Sequence, residues 1–356
     1  MAFIKQAIAK VAASQDLSEE EARLAMDELM SGTASPSQIA SLLTALRMKG
    51  ETVDEIAAFA TIMRERALKI NPRTSGRLTD TCGTGGDALK TFNISTLSAL
   101  VVAGAGAPIA KHGNRSFTSK CGSADLLERL GVNINADPSK VESSIEQVGI
   151  GFMFAQVFHS ATRNVSIPRG EIGIRTVFNI LGPLTNPANA RAQLLGVYDD
   201  ALVMKMARVL HKLGIERAIV VHGMDGFDEI SLIGKTHVAR FEDGSIEEEV
   251  LTPGSFGLAL RKYEEISAPE EIDEHVRVAI SILGNSKSNH RIAVKETVLA
   301  NSSAGLVAAG KADDYLEGVE IARSALESGK ALDKLTQLVK YSGGDASRTE
   351  DLLHKI

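Results

Sequence analysis

Apolar residues recur at every third or fourth position in the N-terminal part of the chain, which is the spacing of an amphipathic helix. Three polar pairs precede such stretches at the spacing of a capping box, in which side chain and backbone satisfy each other's unpaired N–H groups. These pairs are Ser18 with Glu21, Ser35 with Gln38, and Thr52 with Glu55. The pattern predicts an all-helical segment up to about residue 70, whose apolar faces pack against another domain or another subunit.

The pattern changes after a polar stretch at 71–77, which contains proline and glycine and is predicted to be a linker. Short apolar runs then alternate with helical stretches, which is typical of a largely parallel sheet covered by helices. The predicted strands are 78–82, 108–111, 132–134, 151–154, 193–197 and 218–222. An acidic hairpin is predicted at 242–249, with Asp243-Gly244 as its turn. The C-terminal part, including 294–309 and 315–328, is predicted to be helical and is assigned no chemistry.

The predicted fold class is therefore α/β: a small all-helical domain plus a larger domain with a mostly parallel β-sheet covered by helices. Ligands of such sheets bind beyond the carboxyl ends of the strands. The strands 78–82, 108–111 and 218–222 all lead directly into polar motifs, so these motifs are the candidates for chemistry.

Composition narrows the class of protein. The chain has 356 residues, a formal net charge of −6 and a pI of about 5.8, whereas nucleic-acid-binding proteins usually carry a basic excess. No apolar run reaches the ~20 residues that a membrane-spanning helix needs, and the N-terminus lacks the apolar core of a signal peptide. Two cysteines, Cys82 and Cys121, cannot form a disulfide framework. We expect a cytoplasmic enzyme that binds neither nucleic acid nor membrane.

The first polar motif is the glycine turn Gly83-Thr84-Gly85-Gly86-Asp87, which lies between a predicted strand and a helix that starts near Ser95. This arrangement can direct backbone N–H groups at an anion. The motif is neither a P-loop nor a Rossmann fingerprint. As a glycine turn alone it is equally consistent with a structural role, but Asp87 and the hydroxyl-rich residues that follow it favour a phosphate site.

The second motif, Lys111-His112-Gly113-Asn114-Arg115, continues through a run of hydroxyls and a second glycine, and lysine, arginine and hydroxyls are phosphate ligands. A solvated charged loop is the alternative. The third motif ends in Asp228-Glu229, and such a pair taken alone is usually only surface. Beside two phosphate loops it predicts a magnesium site, with the Ser95 hydroxyl as a further ligand.

The fourth motif runs from His159 to Arg175 and holds several arginines, including Arg163 and Arg169, before an apolar helix and a Gly-Pro loop. These arginines could form a wall that binds an organic anion. A salt-bridged helix between domains explains the same residues equally well.

Taken together, the motifs resemble those of the anthranilate phosphoribosyltransferase family, in order and in spacing, over essentially the whole chain. The residues that carry the resemblance are Gly83-Thr84-Gly85-Gly86-Asp87, Asn93-Ile94-Ser95-Thr96, Lys111-His112-Gly113-Asn114-Arg115, Cys121-Gly122-Ser123-Ala124-Asp125, Gly173-Ile174-Arg175-Thr176, Leu181-Gly182-Pro183-Leu184 and Asp228-Glu229. Each piece alone is weak, but the combination is specific. One departure is Ser160, which follows His159 where the family usually has proline.

The resemblance implies a helical dimerisation domain made of residues 1–73 plus about 164–190, and an α/β domain made of residues 76–163 plus 191–356. It also implies a homodimer, the substrates 5-phosphoribosyl 1-diphosphate and anthranilate, and Mg²⁺ at roughly two ions per subunit. The implied donor contacts are Gly83, Gly86, Asp87, Thr91, Asn93, Ile94, Ser95, Thr96, Lys111, His112, Gly113, Asn114, Arg115, Ser116, Phe117, Thr118, Ser119 and Ser123. The implied metal ligands are Ser95, Asp228 and Glu229, and the implied anthranilate contacts are Gly83, Asn114 and Arg169.

The expected reaction is transfer of 5-phosphoribose to the amine of anthranilate with release of diphosphate, the second step of tryptophan biosynthesis from chorismate. His112 and His159 are the candidates for a catalytic base, although a lone histidine is more often structural. One rival is a pyrimidine nucleoside phosphorylase, which uses inorganic phosphate and would not need the Asp228-Glu229 pair. Another is a non-catalytic or nucleic-acid-binding relative, for which we expect a basic surface and eroded glycine loops.

Overall fold

The structure of the protein is a computed structural model that describes residues 3–86, 89, 92–116, 121–242, 244–286 and 291–354. Its N-terminal part is helical, as predicted, with α1 at Ile4–Ala12, α2 at Glu19–Ser31, α3 at Pro36–Lys49 and α4 at Val53–Arg66. All three predicted capping boxes form, at the starts of α2, α3 and α4.

Glu55 in the α4 capping box also joins the helices to one another. Its carboxylate is fully buried and accepts hydrogen bonds from the backbone N–H of Thr52 at 2.8 Å and of Leu17 at 2.9 Å. The Lys49 ammonium lies 2.9 Å from the same carboxylate. A buried carboxylate is tolerated only when it is paired and hydrogen-bonded, so Glu55 at the start of α4 ties together the end of α3 and the segment that leads into α2.

A sheet follows, with strands β1 at Thr79–Asp80, β2 at Ile109–Gly113, β3 at Ile150–Phe154, β4 at Ala192–Gly196, β5 at Arg217–Gly223, β6 at Thr236–Glu242 and β7 at Ser245–Leu251. Within the described residues it has seven strands in the order β3-β2-β1-β4-β5-β6-β7. β1 to β5 pair in parallel, whereas β6 and β7 pair antiparallel. The mostly parallel sheet and the acidic hairpin are thereby confirmed; Asp243 of the predicted turn lies outside the described residues.

The predicted strand at 132–134 is wrong. Val132 and Ile134 are buried, but their segment is a loop whose backbone N–H groups bond elsewhere than to a strand. The N–H of Val132 donates to the Leu127 carbonyl at 2.9 Å, and that of Asn133 donates to the Ser342 hydroxyl at 3.0 Å. An apolar run indicates that a segment is buried, and this segment is buried without pairing with a strand of the sheet.

Helices cover the sheet: α5 at Ile94–Gly104, α6 at Ser123–Arg129, α7 at Pro138–Val148, α8 at Ala155–Phe158, α9 at Arg163–Ile172, α10 at Phe178–Leu181, α11 at Leu202–Lys212, α12 at Tyr263–Ile266, α13 at Ile272–Leu283, α14 at Ile292–Ala309, α15 at Tyr315–Glu327, α16 at Lys330–Ser342 and α17 at Ala346–Leu353. Both C-terminal helices that the sequence predicts are present as α14 and α15. In the part of the chain that the structure describes, no helix is long and apolar enough to cross a membrane.

The sheet separates two apolar cores. Ile219 and Val221 of β5 face α5 and α14, whereas Val220 between them faces α11 and the N-terminal helices. This alternation follows from the two-residue period of a strand. The second core also takes in Val165 of α9 and Leu181 of α10, so the N-terminal helices, the segment around 165–184 and one face of the sheet pack as one body.

A histidine joins the edge of the sheet to the start of α11. His237 on β6 lies 2.6 Å from an Asp200 carboxylate oxygen and 2.7 Å from one of Glu248 on β7. Burial alone would lower the pKa of His237, but its hydrogen bonds to both carboxylates outweigh burial and raise the pKa above the ordinary value of 6.5. Stability that depends on the protonated ring is therefore fully present below about pH 6.5 and is lost as the pH rises through the folded-state pKa.

We predict that His237→Gln lowers the melting temperature more at about pH 5.5 than at about pH 8.5, by the equivalent of less than about 1 kcal/mol because both carboxylates are exposed. Thermal denaturation of both proteins at the two pH values measures this. His354→Gln, at an exposed position, is the control and is expected to show no such dependence. An equal loss at both pH values would contradict the protonated pairing.

Candidate active site

The carboxyl ends of the parallel strands bring the predicted loops together. The glycine turn follows β1, and its Thr84 N–H donates to the carbonyl of Gly196 at the end of β4, at 2.9 Å. A methyl group added at Gly83 would lie 3.2 Å from that same carbonyl oxygen and 3.7 Å from Oδ2 of Asp228, which belongs to the loop after β5. The structure therefore sets one predicted metal carboxylate directly against the glycine turn.

Gly196 is a residue of this site that the sequence analysis missed. A Cβ at this position would lie only 1.7 Å from the carbonyl oxygen of Asp228, so the backbone of the carboxylate loop passes across Gly196 where no side chain fits. The available signal was a glycine inside a predicted strand, which often marks a close approach of another backbone.

The strand predicted at 108–111 continues to Gly113, so the start of the second polar motif lies on β2 rather than in a loop. Lys111 and His112 both belong to this strand. They pair with Phe152 and Met153 of β3 and are each only 3% exposed. The Lys111 ammonium donates to the Thr81 carbonyl at 3.0 Å and to the Ser95 hydroxyl at 3.4 Å. Lys111 thus links the end of β1 to the first turn of α5, where the helix dipole also favours an anion.

The thiol of Cys82 shows how close these charges lie to one another. Burial raises its pKa to about 12, the carboxylates of Asp80, Glu229 and Asp228 add to the increase, and Lys111 opposes it. Charged residues at or just after the ends of three different strands therefore shift the pKa of one thiol, which directly precedes the glycine turn. A thiol with such a pKa remains protonated and is not a nucleophile.

Asp125 holds the two ends of the second polar loop. Its carboxylate accepts hydrogen bonds from the N–H groups of Ser116 at 3.2 Å and Gly122 at 2.9 Å. The Arg115 guanidinium pairs with Asp125 at 2.7 Å and with Glu128 at 2.9 Å, and these hydrogen bonds raise the pKa of Arg115. Of the predicted donor contacts, Asp87, Thr91, Phe117, Thr118 and Ser119 lie outside the described residues.

The two candidate bases are buried side by side. The imidazoles of His112 and His159 lie 5.1 Å apart, and His112 Nδ1 is 3.2 Å from the Gly182 carbonyl oxygen. Burial lowers the pKa of His112 well below its usual range and that of His159 to about 4. Both rings are therefore neutral at pH 7, and such weakly basic groups make poor general bases. Neither Nε2 atom has a hydrogen-bond partner among the described residues.

Arg169, the predicted acceptor contact, is a partly buried cation on α9. Its guanidinium packs 4.8 Å from the centre of the Phe178 ring, and burial lowers its pKa. Its Nε is buried and has no hydrogen-bond partner among the described residues. A desolvated guanidinium with an unused donor favours a carboxylate ligand over the alternative of a salt-bridged structural helix.

Arg175 is a second residue whose position sequence reasoning did not assign. Its guanidinium donates to the carbonyl of Gly86 in the glycine turn and lies 4.0 Å from the centre of the Tyr198 ring. The N–H of Tyr198 in turn donates to the Thr84 hydroxyl at 3.2 Å. Arg175 therefore ties the segment after α9 to the glycine turn; the sequence placed it in the fourth motif and among the residues that carry the family resemblance, without a role.

The carboxylate loop suits magnesium. Asp228 is half-buried and Glu229 is buried, and both carry carboxylate oxygens, a hard type of ligand, at the carboxyl edge of the sheet. In the described ranges no group of three or more His, Cys, Asp and Glu side chains forms a preassembled cage. A pair of carboxylates fits Mg²⁺ because this ion usually keeps waters and takes substrate phosphates as its remaining ligands.

Two family models cover most of the chain. Residues 75–332 match the glycosyl transferase family α/β domain, and residues 5–67 match the helical bundle domain of the same family. The protein is thus a glycosyltransferase that contains both domains of this family. Its sequence relatives narrow the class further.

The chain is 51% identical to the anthranilate phosphoribosyltransferase of Pelotomaculum thermopropionicum, covering 96% of this chain and 97% of that one. Among solved structures, that of the Thermus thermophilus enzyme matches with a TM-score of 0.89 and 42% identity, over 96% of this chain and 100% of that one. The Saccharomyces cerevisiae enzyme in complex with PRPP and Mg matches with a TM-score of 0.86 and 27% identity, over 96% and 98%. The chain belongs to the anthranilate phosphoribosyltransferase family.

The contact at Gly196 gives a sharp prediction. Gly196→Ala must push the Asp228 backbone aside, and a displacement of about 1 Å at a catalytic group can cost on the order of 100-fold in rate. We expect a loss of kcat/KM of about that size, measured by steady-state assay, while circular dichroism shows a folded chain.

Gly254→Ala is the matched control, because a methyl group there meets, among the described residues, only the Thr252 hydroxyl, at 3.5 Å. It is expected to retain full activity. Activity of the Gly196 variant close to that of the control would contradict the proposed dependence on this contact.

Proposed function

We propose that the loops at the carboxyl edge of the sheet bind 5-phosphoribosyl 1-diphosphate and anthranilate and carry out the family's reaction. The enzyme transfers 5-phosphoribose to the amine of anthranilate and releases diphosphate. The amine nitrogen forms a bond to ribose C1, the bond from C1 to the diphosphate oxygen breaks with its electron pair leaving on diphosphate, and the amine loses a proton to solvent water. The observation that carries this assignment is the meeting of the glycine turn with the Asp228 carboxylate beside Gly83.

The donor site would consist of the glycine turn, the first turn of α5 and the loop after β2. Backbone N–H groups and hydroxyls there can bind the diphosphate and the 5-phosphate. The proposed contacts are Gly83, Gly86, Asp87, Thr91, Asn93 to Thr96, Lys111 to Ser119 and Ser123. Lys111 would contribute positive charge to the donor site. Its ammonium is buried and donates to the Ser95 hydroxyl and to the Thr81 carbonyl at the end of β1.

Magnesium would be held by Asp228, Glu229 and Ser95 together with the donor. When bound, it would supply positive charge that stabilises the negative charge of the diphosphate. The structure of the yeast relative with PRPP and Mg supports the choice of metal. We propose roughly two ions per subunit, since the donor carries several phosphate oxygens beyond those that one ion needs.

The acceptor would bind between Arg169 on α9 and the glycine turn, with Gly83 and Asn114 as further contacts. The Arg169 guanidinium would hold the anthranilate carboxylate and orient the amine. An aromatic amine is uncharged at neutral pH and already nucleophilic, so orientation matters more than a strong base. The low pKa of His159 agrees with this, and neither His112 nor His159 is assigned the role of base.

The assembly and location of the protein are further proposals. We assign residues 1–73 plus about 164–190 to a helical dimerisation domain and residues 76–163 plus 191–356 to the α/β domain of a homodimer. Exposed apolar side chains on the helical part, including Met48 and Ile167, support a covering partner. A cytoplasmic location agrees with two free cysteines. Light scattering with size-exclusion chromatography tests the dimer.

The function is tested by mixing the protein with anthranilate, 5-phosphoribosyl 1-diphosphate and Mg²⁺ and following the loss of anthranilate fluorescence. We expect a loss that requires all three components and stops when a chelator removes the metal. Activity on a pyrimidine nucleoside with inorganic phosphate instead, without a metal requirement, would reject the assignment.

The acceptor role of Arg169 gives a separate prediction. Arg169→Ala should raise the KM for anthranilate by on the order of 10- to 100-fold, the equivalent of a lost charge-assisted hydrogen bond of about 1.5–3 kcal/mol. The KM for the donor should change little. Both constants come from steady-state kinetics with one substrate varied at a time.

Arg163→Ala removes an exposed arginine from the start of the same helix and serves as the control. It should leave both KM values unchanged. Equal increases in both KM values for the Arg169 variant would refute the assigned role.

A further inference from the structure

A fully buried asparagine lies inside α14, a helix to which the sequence analysis assigned no chemistry. Asn301 has no solvent exposure, and Val298 and Ala304 of the same helix belong to the apolar core. A buried amide is costly unless its donors and acceptor are all used. Its partners therefore indicate what it does.

Asn301 binds both backbone groups of a single residue in the carboxylate loop. Its Oδ1 accepts from the Ile230 N–H at 2.9 Å, and its Nδ2 donates to the Ile230 carbonyl at 3.1 Å. The second Nδ2 hydrogen donates to the Thr297 carbonyl of its own helix at 2.9 Å. The side chain thus pairs with Ile230 as a neighbouring strand would, and Ile230 directly follows Glu229.

The residue before the carboxylates is fixed as well. Phe227 is fully buried, its carbonyl accepts from the Gly223 N–H at 2.7 Å and its N–H donates to the Gly223 carbonyl at 3.2 Å. Asp228 and Glu229 are therefore the only residues between two anchored backbone positions. One anchor is local to the turn, whereas the other comes from Asn301, distant in sequence.

We propose that Asn301 is a positioning residue for the metal carboxylates: it fixes the backbone after Glu229 so that Asp228 and Glu229 face the glycine turn. This inference rests on the proposed metal role of these carboxylates. A partner that orients a ligand from behind typically contributes 10- to 100-fold to metal affinity.

A purely structural role predicts a different outcome. Loss of a buried hydrogen bond lowers stability wherever it occurs, so melting temperature alone cannot separate the two roles. Metal affinity can separate the two roles, because substituting a buried polar residue of the same helix that is not bonded to the carboxylate loop should leave the metal affinity unchanged. Thr297, whose hydroxyl donates to the Ala293 carbonyl at 2.8 Å, is such a residue. Ser302 is another, since its buried hydroxyl has no hydrogen-bond partner among the described residues.

The test measures binding of Mn²⁺, as a probe for Mg²⁺, to the full chain with 5-phosphoribosyl 1-diphosphate present and anthranilate absent. Free Mn²⁺ is followed by electron paramagnetic resonance, so no turnover is needed. We expect Asn301→Leu and Asn301→Ala to raise the Kd for Mn²⁺ by about tenfold or more, whereas Thr297→Val and Ser302→Ala stay within about twofold of the parent chain. Asn301→Ala leaves room for a water, so it keeps the test valid if the leucine variant does not fold.

Steady-state kinetics of the same variants add a second readout. The Mg²⁺ concentration for half-maximal activity should rise in parallel with the Kd, and the KM for anthranilate should not. If the Asn301 variants melt earlier but bind Mn²⁺ like the controls, the inference is overturned and the residue is structural. If the parent chain itself binds no Mn²⁺ with the donor, the proposed metal role fails, and the inference fails with it.

Discussion

The passage of the Asp228 backbone across the bare Cα of Gly196 is the contact on which the rest of the site depends. It occurs at the end of β4, between the glycine turn after β1 and the carboxylate loop after β5. A side chain at this position would collide with the Asp228 backbone and push the carboxylate loop away from the glycine turn. Parallel pairing of β1 with β4 and of β4 with β5 brings the loops to one edge, and the missing side chain lets them touch.

Burial then decides which groups near this edge carry charge. His112, His159 and Cys82 are held in their neutral forms because desolvation opposes ionisation, so none of them is suited to act as a base or nucleophile at pH 7. Arg169 remains a cation although burial lowers its pKa, because the pKa of a guanidinium starts far above neutrality. The proposed reaction joins an uncharged amine to an anionic donor, and such a reaction depends more on orientation than on a strong base.

Local signals in the sequence predicted much of the fold and the identity of the chemical motifs. Capping boxes and three-and-four spacing act within one helix, and short apolar runs between helical stretches implied the parallel sheet. The strand predicted at 132–134 failed because burial there is satisfied by helix contacts. Lys111 was predicted at the end of a strand, at the start of a polar loop, and only the three-dimensional structure shows that it is buried and which carbonyl and hydroxyl its ammonium binds.

The remaining features depend on distant residues and leave no local signal. Asn301 is one polar residue in an apolar helix until Ile230 is placed beside it, and Arg175 is one of several arginines until it meets Gly86. Such contacts join segments far apart in the chain, so neither periodicity nor spacing reveals them. The topology of the fold decides which residues Asn301 and Arg175 contact.

The core shared between the N-terminal helices and one face of the sheet has a consequence for how the chain unfolds. The match to the helical bundle domain ends at residue 67, before the linker, and the match to the α/β domain begins at residue 75, within it, which suggests two separable pieces. The apolar contacts do not stop there, because Val220 of β5 and Leu210 of α11 pack in the same cluster as Leu42 and Phe59. Proteolytic cleavage in the linker would therefore leave the fragments associated, and separating them would expose an apolar face on each. The boundary between the two family models is therefore not a boundary between apolar cores.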